Sequence, residues 1–261
     1  MSAEIVGCSR STPIASIAKT MATHQLHALF VLDNSDRPVG VVSDVDLLAG
    51  EWLGTDHCKF KTLQNTNAGD LMTAPAETIC GDATLQEAVE KMRQLRVARL
   101  LVCDEESAVG VLSVSDLVAV LRRPPTGRAC TGDVMSHAIV TCRPEAPMHS
   151  AVRAMIERRS RSVVITEGDR AVGVLTGGDV LALYATPSGA WGSGTVAEFM
   201  TSPPITATPD LSLSDAANRM LTHEIHRLVV VNSNDGSGPL GVISTADIVA
   251  EMADDGSAWQ T

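Results

Sequence analysis

A chain of 261 residues has room for one large domain or two ordinary ones and can bury a core without disulfide staples. Its net charge of −11 and its 3% of aromatic residues speak against a nucleic-acid surface, which needs basic stripes and stacking platforms. No run nears the roughly 20 apolar residues that cross a membrane, "MSAEIVGCSRS" lacks a basic region ahead of an apolar stretch, and the six cysteines form no C-x-x-C pair; a cytoplasmic protein without a disulfide framework is expected.

Along the chain one series of elements is predicted four times. In the first unit Ile14, Ile17, Ala18 and Met21 have the spacing of a helix face. The run "LFVL" then reads as a buried strand, "DNSDR" as a turn, and "GVVSDVD" (Gly40 to Asp46) as a strand that passes into a helix at its serine. The second unit repeats this with Leu85, Ala88, Val89 and Met92, then "LLVC", "DEES" and "GVLSVSD" (Gly110 to Asp116). The third has Met148, Ala151, Val152 and Met155, then "VVI", "EGDR" and "GVLTGGD" (Gly173 to Asp179). The fourth has Leu213, Ala216, Ala217 and Met220, then "LVVV", "NSNDGSG" and "GVISTAD" (Gly241 to Asp247). Units this small cannot bury both faces of a sheet alone and should pack in pairs. Consecutive prolines in "RRPPTGR" (Arg122 to Arg128) exclude helix and strand interiors and mark the break between pairs. The connectors "GTDHCKFKTLQNTN" and "TPSGAWGSG" divide the units within each pair. The expected α/β organisation is a first pair over 1–122, with units at about 1–53 and 68–122, and a second over 129–254, with units at about 131–185 and 196–254.

The shared motif is Gly, two aliphatics, Ser or Thr, two variable residues, Asp. A carboxylate can accept both vicinal hydroxyls of a ribose in charge-assisted hydrogen bonds. A helix N-terminus beside it offers N–H groups to a phosphate, and a glycine upstream lets a ligand approach the backbone. Against this stands the capping box, a hydroxyl at the helix start with an acid three residues on. That box prefers Glu or Gln, and all four acids here are Asp, which favours a ligand. Ahead of the buried strands stand His27-Ala28, Ala98-Arg99, Arg161-Ser162 and His226-Arg227. Arg99, Arg161 and Arg227 would sit at a pocket rim, suited to bidentate phosphate contacts; the alternative is a solvated strand end or an ion pair. His27 reads as a polar strand-end residue.

Chemistry of other kinds has little support. There is no G-x-S-x-G elbow, phosphate-binding G-x-x-x-x-G-K-[S/T] loop or H-E-x-x-H helix. "HEIH" (His223 to His226) is one residue short of the last, and His57-Cys58 lacks further ligands at metal-site spacing, so neither a metal nor a catalytic centre is expected. Trp52, Trp191 and Trp259 read as local packing, and Met72, Met135 and Met200 as core or pair-interface residues.

The four motifs come with lead-in segments, "GDLMT" (Gly69 to Thr73), "GDVMS" (Gly132 to Ser136) and "AEFMT" (Ala197 to Thr201), and with "IHRLVVVN" (Ile225 to Asn232). Together they resemble the cystathionine-β-synthase (CBS) domain family, whose units occur as tandem pairs called Bateman modules. "IHRLVVVN" is similar to a segment of the nucleotide-binding γ subunit of AMP-activated protein kinase. The resemblance covers nearly the whole chain. It implies four CBS repeats, each a small mixed sheet with flanking helices, packed as two pseudo-symmetric modules. It implies a regulatory energy or metabolite sensor that binds AMP, ADP, ATP or S-adenosylmethionine in clefts between repeats. Position by position, Ser43, Ser113, Thr176 and Ser244 would lie near ribose and phosphate, and Asp46, Asp116, Asp179 and Asp247 would accept the ribose hydroxyls. Arg99, Arg161, His226 and Arg227 would face phosphate.

Two departures accompany the resemblance. Only the fourth repeat has both His and Arg, so it is expected to contribute the most complete set of groups. The first repeat has no lead-in like "GDLMT", so any pocket lined by that segment is expected to be incomplete. No cofactor beyond the regulatory nucleotide is implied, nor catalysis, nucleic acid or membrane; a protein partner or homo-oligomer is. The competing reading is a scaffold or oligomerisation module with empty or degenerate clefts, acting through a protein partner.

Overall fold

A computed structural model of the chain describes residues 5–24, 26–35, 37–44, 46–48, 66–104, 107–120, 129–184, 194–232 and 238–254. The "RRPPTGR" break, most of the two connectors, His57, Cys58 and the three tryptophans lie outside the described residues.

The first repeat contains β1 (Gly7–Ser9), α1 (Ile14–Thr23), β2 (Ala28–Leu32) and β3 (Pro38–Ser43), after which residues 44 and 46–48 are helical. The second contains α2 (Ala68–Leu71), β4 (Thr78–Cys80), α3 (Leu85–Leu95), β5 (Arg99–Asp104), β6 (Ser107–Ser113) and α4 (Val114–Val120). The third contains α5 (Thr131–Val134), β7 (Thr141–Cys142), α6 (Met148–Glu157), β8 (Ser162–Glu167), β9 (Arg170–Thr176) and α7 (Gly177–Tyr184). The fourth opens with a 3-10 turn (Val196–Glu198), followed by β10 (Thr206–Ala207), α8 (Leu213–Thr222), β11 (Arg227–Val231), β12 (Pro239–Ser244) and α9 (Thr245–Asp254). No helix among the described residues is long and apolar enough to cross a membrane.

Each repeat has one mixed three-stranded sheet. Its first two strands run parallel, which requires a crossover, here a helix; the second and third are antiparallel and turn back directly. A register shift falls at the same place in all four hairpins: Val31/Leu32, Val102/Cys103, Ile165/Thr166 and Val230/Val231. The helix faces fall where the periodicity puts them. α6 and α8 bury all four of their predicted residues and α1 buries Ile17, Ala18 and Met21. Leu85 departs: as the first helical residue of α3, directly after its Thr84 cap, it is 36% exposed.

The continuous apolar runs of the central strands arise because both sheet faces are covered. Leu29 and Val31 of β2 face the helix core of the first repeat, while Phe30 faces outward to meet Leu101 and Val111 of the second. Val164 of the third repeat meets Val229 and Val231 of the fourth in the same way. The helices make the other contacts. Leu117 and Val118 of α4 share one core with Met220 of α8 and with Ile248 and Val249 of α9. Leu181 of α7 packs with Ile17 and Met21, and Leu48 packs with Met148 and Leu175. The repeats therefore close a ring, joined by sheets (first to second, third to fourth) and by helices (first to third, second to fourth).

The lead-in segments do not cover their own repeats. Thr73 of "GDLMT" exchanges two backbone hydrogen bonds of 2.9 Å with Val41 of the first repeat. Ser136 of "GDVMS" bridges Val242 of the fourth, and Thr201 of "AEFMT" bridges Val174 of the third.

Candidate functional site

The hydroxyl and acid of each motif meet in one geometry. Ser43 donates through its backbone N–H at 2.8 Å and its hydroxyl at 2.6 Å to Asp46 Oδ2, and Asp46 N–H donates back to Ser43 Oγ at 3.4 Å. Ser113 and Asp116 form the same pair, as do Thr176 and Asp179, and Ser244 and Asp247. Asp is thus long enough to complete a reciprocal box, and the preference for Asp over Glu carries no independent weight for a ligand. The box engages Oδ2 and the hydroxyl of every motif and presets the acid's orientation.

The motif glycines also have a different cause from the one expected. A Cβ on Gly40 would lie 2.7 Å from the sulfur of Met72, and one on Gly241 2.7 Å from that of Met135. A Cβ on Gly173 would likewise meet Met200 Sδ. These three glycines make room for the lead-in methionine of the paired repeat rather than for a ligand. The methionines pack against the helix cores.

A second fourfold regularity brings the strand-opening residues to the helix starts. The backbone N–H after each motif hydroxyl donates to the carbonyl two residues upstream of the central strand's first or second apolar residue: Asp44 to His27 (3.0 Å), Val114 to Ala98 (3.0 Å), Gly177 to Arg161 (3.4 Å) and Thr245 to His226 (3.1 Å). Ring closure then gathers side chains from all four repeats. Arg161 Nη2 donates to Asp44 Oδ1 at 2.5 Å, and His27 Nδ1 lies 3.3 Å from Asp44 Oδ2. His27 and His226 meet edge to face with ring centroids 4.7 Å apart, and Ser115 Oγ lies 3.3 Å from His226 Nδ1. Burial pushes the Asp44 carboxyl upward, but the His27 hydrogen bond and the Arg161 charge outweigh it and hold the pKa at about 2. Burial, then the neighbouring His27 and the arginines, lower His226 to about 4. Burial, then Arg161, lower Arg227 to about 10, so it stays cationic near neutrality. Burial also lowers Arg99, which feels the charges of Asp44, Arg161 and Asp116.

Beside this cluster lies a cavity of ≈ 630 Å³. The third repeat supplies Thr176, Gly177, Gly178 and Asp179, and the fourth supplies Ile205, Met220, His226 and Arg227. The first repeat adds Met21, His27 and Asp44, and the second Ser115. His226 and Arg227 thus join the motif of the third repeat in the cavity; Ser244 and Asp247 are not part of its wall. Ser43, Asp46, Ser113 and Asp116 are not on this wall either. Arg99 and Arg161 belong to the central cluster and do not line the cavity. Among the described residues no three His, Cys, Asp or Glu side chains converge as metal ligands would.

Asp44, His27 and Ser115 are the site residues that motif reading misses. The available signal is the position after each motif hydroxyl, which reads Asp44, Val114, Gly177 and Thr245, with an acid in the first repeat alone.

The CBS domain family model matches residues 1–51, 68–123, 132–186 and 196–254. The CBS domain-containing protein YhcV of Bacillus subtilis is 28% identical over 126 residues, 48% of this chain and 87% of that protein. An uncharacterized 33.4 kDa protein in the ribosomal RNA operon of Thermofilum pendens is 26% identical over 213 residues, 74% of this chain and 66% of that protein. Among solved structures, protein MJ1225 from Methanocaldococcus jannaschii has the same fold, with a TM-score of 0.84 at 19% identity, covering 95% of this chain and 96% of that one. An uncharacterized conserved protein from Pyrococcus horikoshii gives 0.64 at 17% identity over 96% of each chain.

Proposed function

Since the chain belongs to the CBS domain family, which it matches in four repeats, we propose that it is a regulatory protein that binds an adenine nucleotide or adenosyl compound between its third and fourth repeats. The observation that carries this reading is the ≈ 630 Å³ cavity, within the range of small-molecule sites, whose wall carries both acidic and basic groups. On that wall Asp179, oriented by its box with Thr176, presents a carboxylate to a pair of ribose hydroxyls. Arg227 and His226 of the same wall meet a polar or anionic substituent, and Ile205, Met220 and Ile225 offer apolar surface for a base. Because every repeat contributes to the wall, a ligand that favours one arrangement of the ring shifts the whole molecule toward it, and a partner can read that shift.

The test is the melting temperature of the protein with AMP, ADP, ATP and S-adenosylmethionine. A ligand at 100 times its Kd stabilises the native state by about 2.7 kcal/mol through mass action. Asp179→Ala is expected to weaken the stabilising ligand at least about tenfold, whereas Asp247→Ala, off the cavity wall, leaves its affinity nearly unchanged. Equal affinity in Asp179→Ala and wild type would remove the ribose assignment. No stabilisation by any of the four compounds would instead support the scaffold reading.

A further inference from the structure

We propose that Asp44 is a built-in anion that restricts the cavity to adenosyl ligands carrying no more than one phosphate; the proposal rests on the adenosine-binding reading above. Its carboxylate lies on the cavity wall with a side chain only 6% exposed. Arg161 Nη2 donates to it at 2.5 Å and His27 Nδ1 lies 3.3 Å away. Its Oδ2 also lies 3.6 Å from where a Gly177 Cβ would stand, which sets it against the first residue of α7. A guanidinium, an imidazole and a helix N-terminus are the surroundings that hold a phosphate oxygen. Here a carboxylate of the protein itself occupies them.

The consequence follows from the charges left on the wall. Arg161 is neutralised by Asp44. With a pKa of about 4, His226 is neutral near pH 7. Among the described residues of the wall, Arg227 is then the one guanidinium, and it feels the charges of Asp44 and Asp247. Arg99 does not line the wall. One phosphate finds Arg227; a second or third finds no further guanidinium on the described wall, because Asp44 already compensates the Arg161 charge. The equivalent positions of the other repeats are Val114, Gly177 and Thr245, so the device belongs to the first repeat alone.

Calorimetric titration of the full chain with AMP, ADP and ATP tests this directly. Wild type is expected to bind AMP at least about tenfold more tightly than ATP, and Asp44→Asn to shrink or invert that ratio, chiefly by gaining ATP affinity. ATP binding as tight as AMP in wild type would overturn the proposal, as would an unchanged ratio in Asp44→Asn. Circular dichroism checks that the variant folds; if it does not, the wild-type AMP-to-ATP ratio decides the matter without it. Loss of AMP binding in Asp179→Ala with a ratio insensitive to Asp44→Asn sinks this inference alone. Absence of any adenosine binding in wild type removes the functional reading and this proposal together.

Discussion

Asp44 and His226 face each other across the centre of the molecule through His27, and their protonation is tied to folding in two separate pH windows. The Asp44 carboxyl is lowered from 3.8 to about 2, so its contribution is complete above pH 3.8 and is lost as pH falls through about 2. His226 is lowered from 6.5 to about 4: the unfolded chain binds the proton more readily, so stability is complete above pH 6.5 and declines as pH falls through about 4. Burial is the main cause that holds His226 there, followed by the neighbouring His27, Arg227, Arg99 and Arg161. Replacing His226 with Gln is expected to flatten the fall in melting temperature between pH 6.5 and about 4 by about 2–4 °C, read by thermal melts at a series of pH values. An unaltered slope would show that protonation of this imidazole does not oppose folding.

At the scale of elements, the motif "Gly, two aliphatics, Ser or Thr, two variable residues, Asp" is a device for strand, cap and docking together. The acid and hydroxyl start a helix, and the glycine admits the lead-in methionine of the paired repeat. Gly173→Ala is expected to destabilise by about 1–3 kcal/mol through overpacking, and Met200→Ala in the same chain to recover part of that loss. Gly241→Ala should cost a similar amount without rescue by Met135→Ala, because the carbonyl of Ser136 also lies 2.7 Å from the added carbon and cannot be trimmed away. Chemical denaturation of the two double-mutant cycles distinguishes these outcomes; equal rescue in both would contradict the backbone contact.

At the scale of the molecule, the ring makes each core common property of two repeats. Leu117 of the second repeat is fully buried beside Met220 and Ile248 of the fourth. Leu117→Ala is expected to cost about 2–5 kcal/mol and to lower the melting temperature of a single transition. Two resolved transitions in a calorimetric scan, with only one displaced, would mean that the pairs unfold independently. The same closure gives the cavity a wall that draws on all four repeats.

What the sequence determined by itself was everything with a short period. Helix faces repeat every three to four residues and strands follow them closely, so Ile17, Met92, Met155 and Met220 were readable as core from their spacing, and four copies identified the family. Leu85 escaped this logic because a stripe does not say where a helix end meets solvent. The cavity was decided by tertiary structure alone. Arg161 and Asp44 are 117 residues apart and Ser115 and His226 are 111 apart, and neither pair follows any local period. The fold keeps Arg227 opposite Ser244, as their shared repeat implies, and in addition brings His226 and Arg227 to one cavity wall with Thr176 and Asp179, which no pattern within a repeat announces. Local propensity sets the units, but which charges share a desolvated centre depends on the order in which the units close the ring.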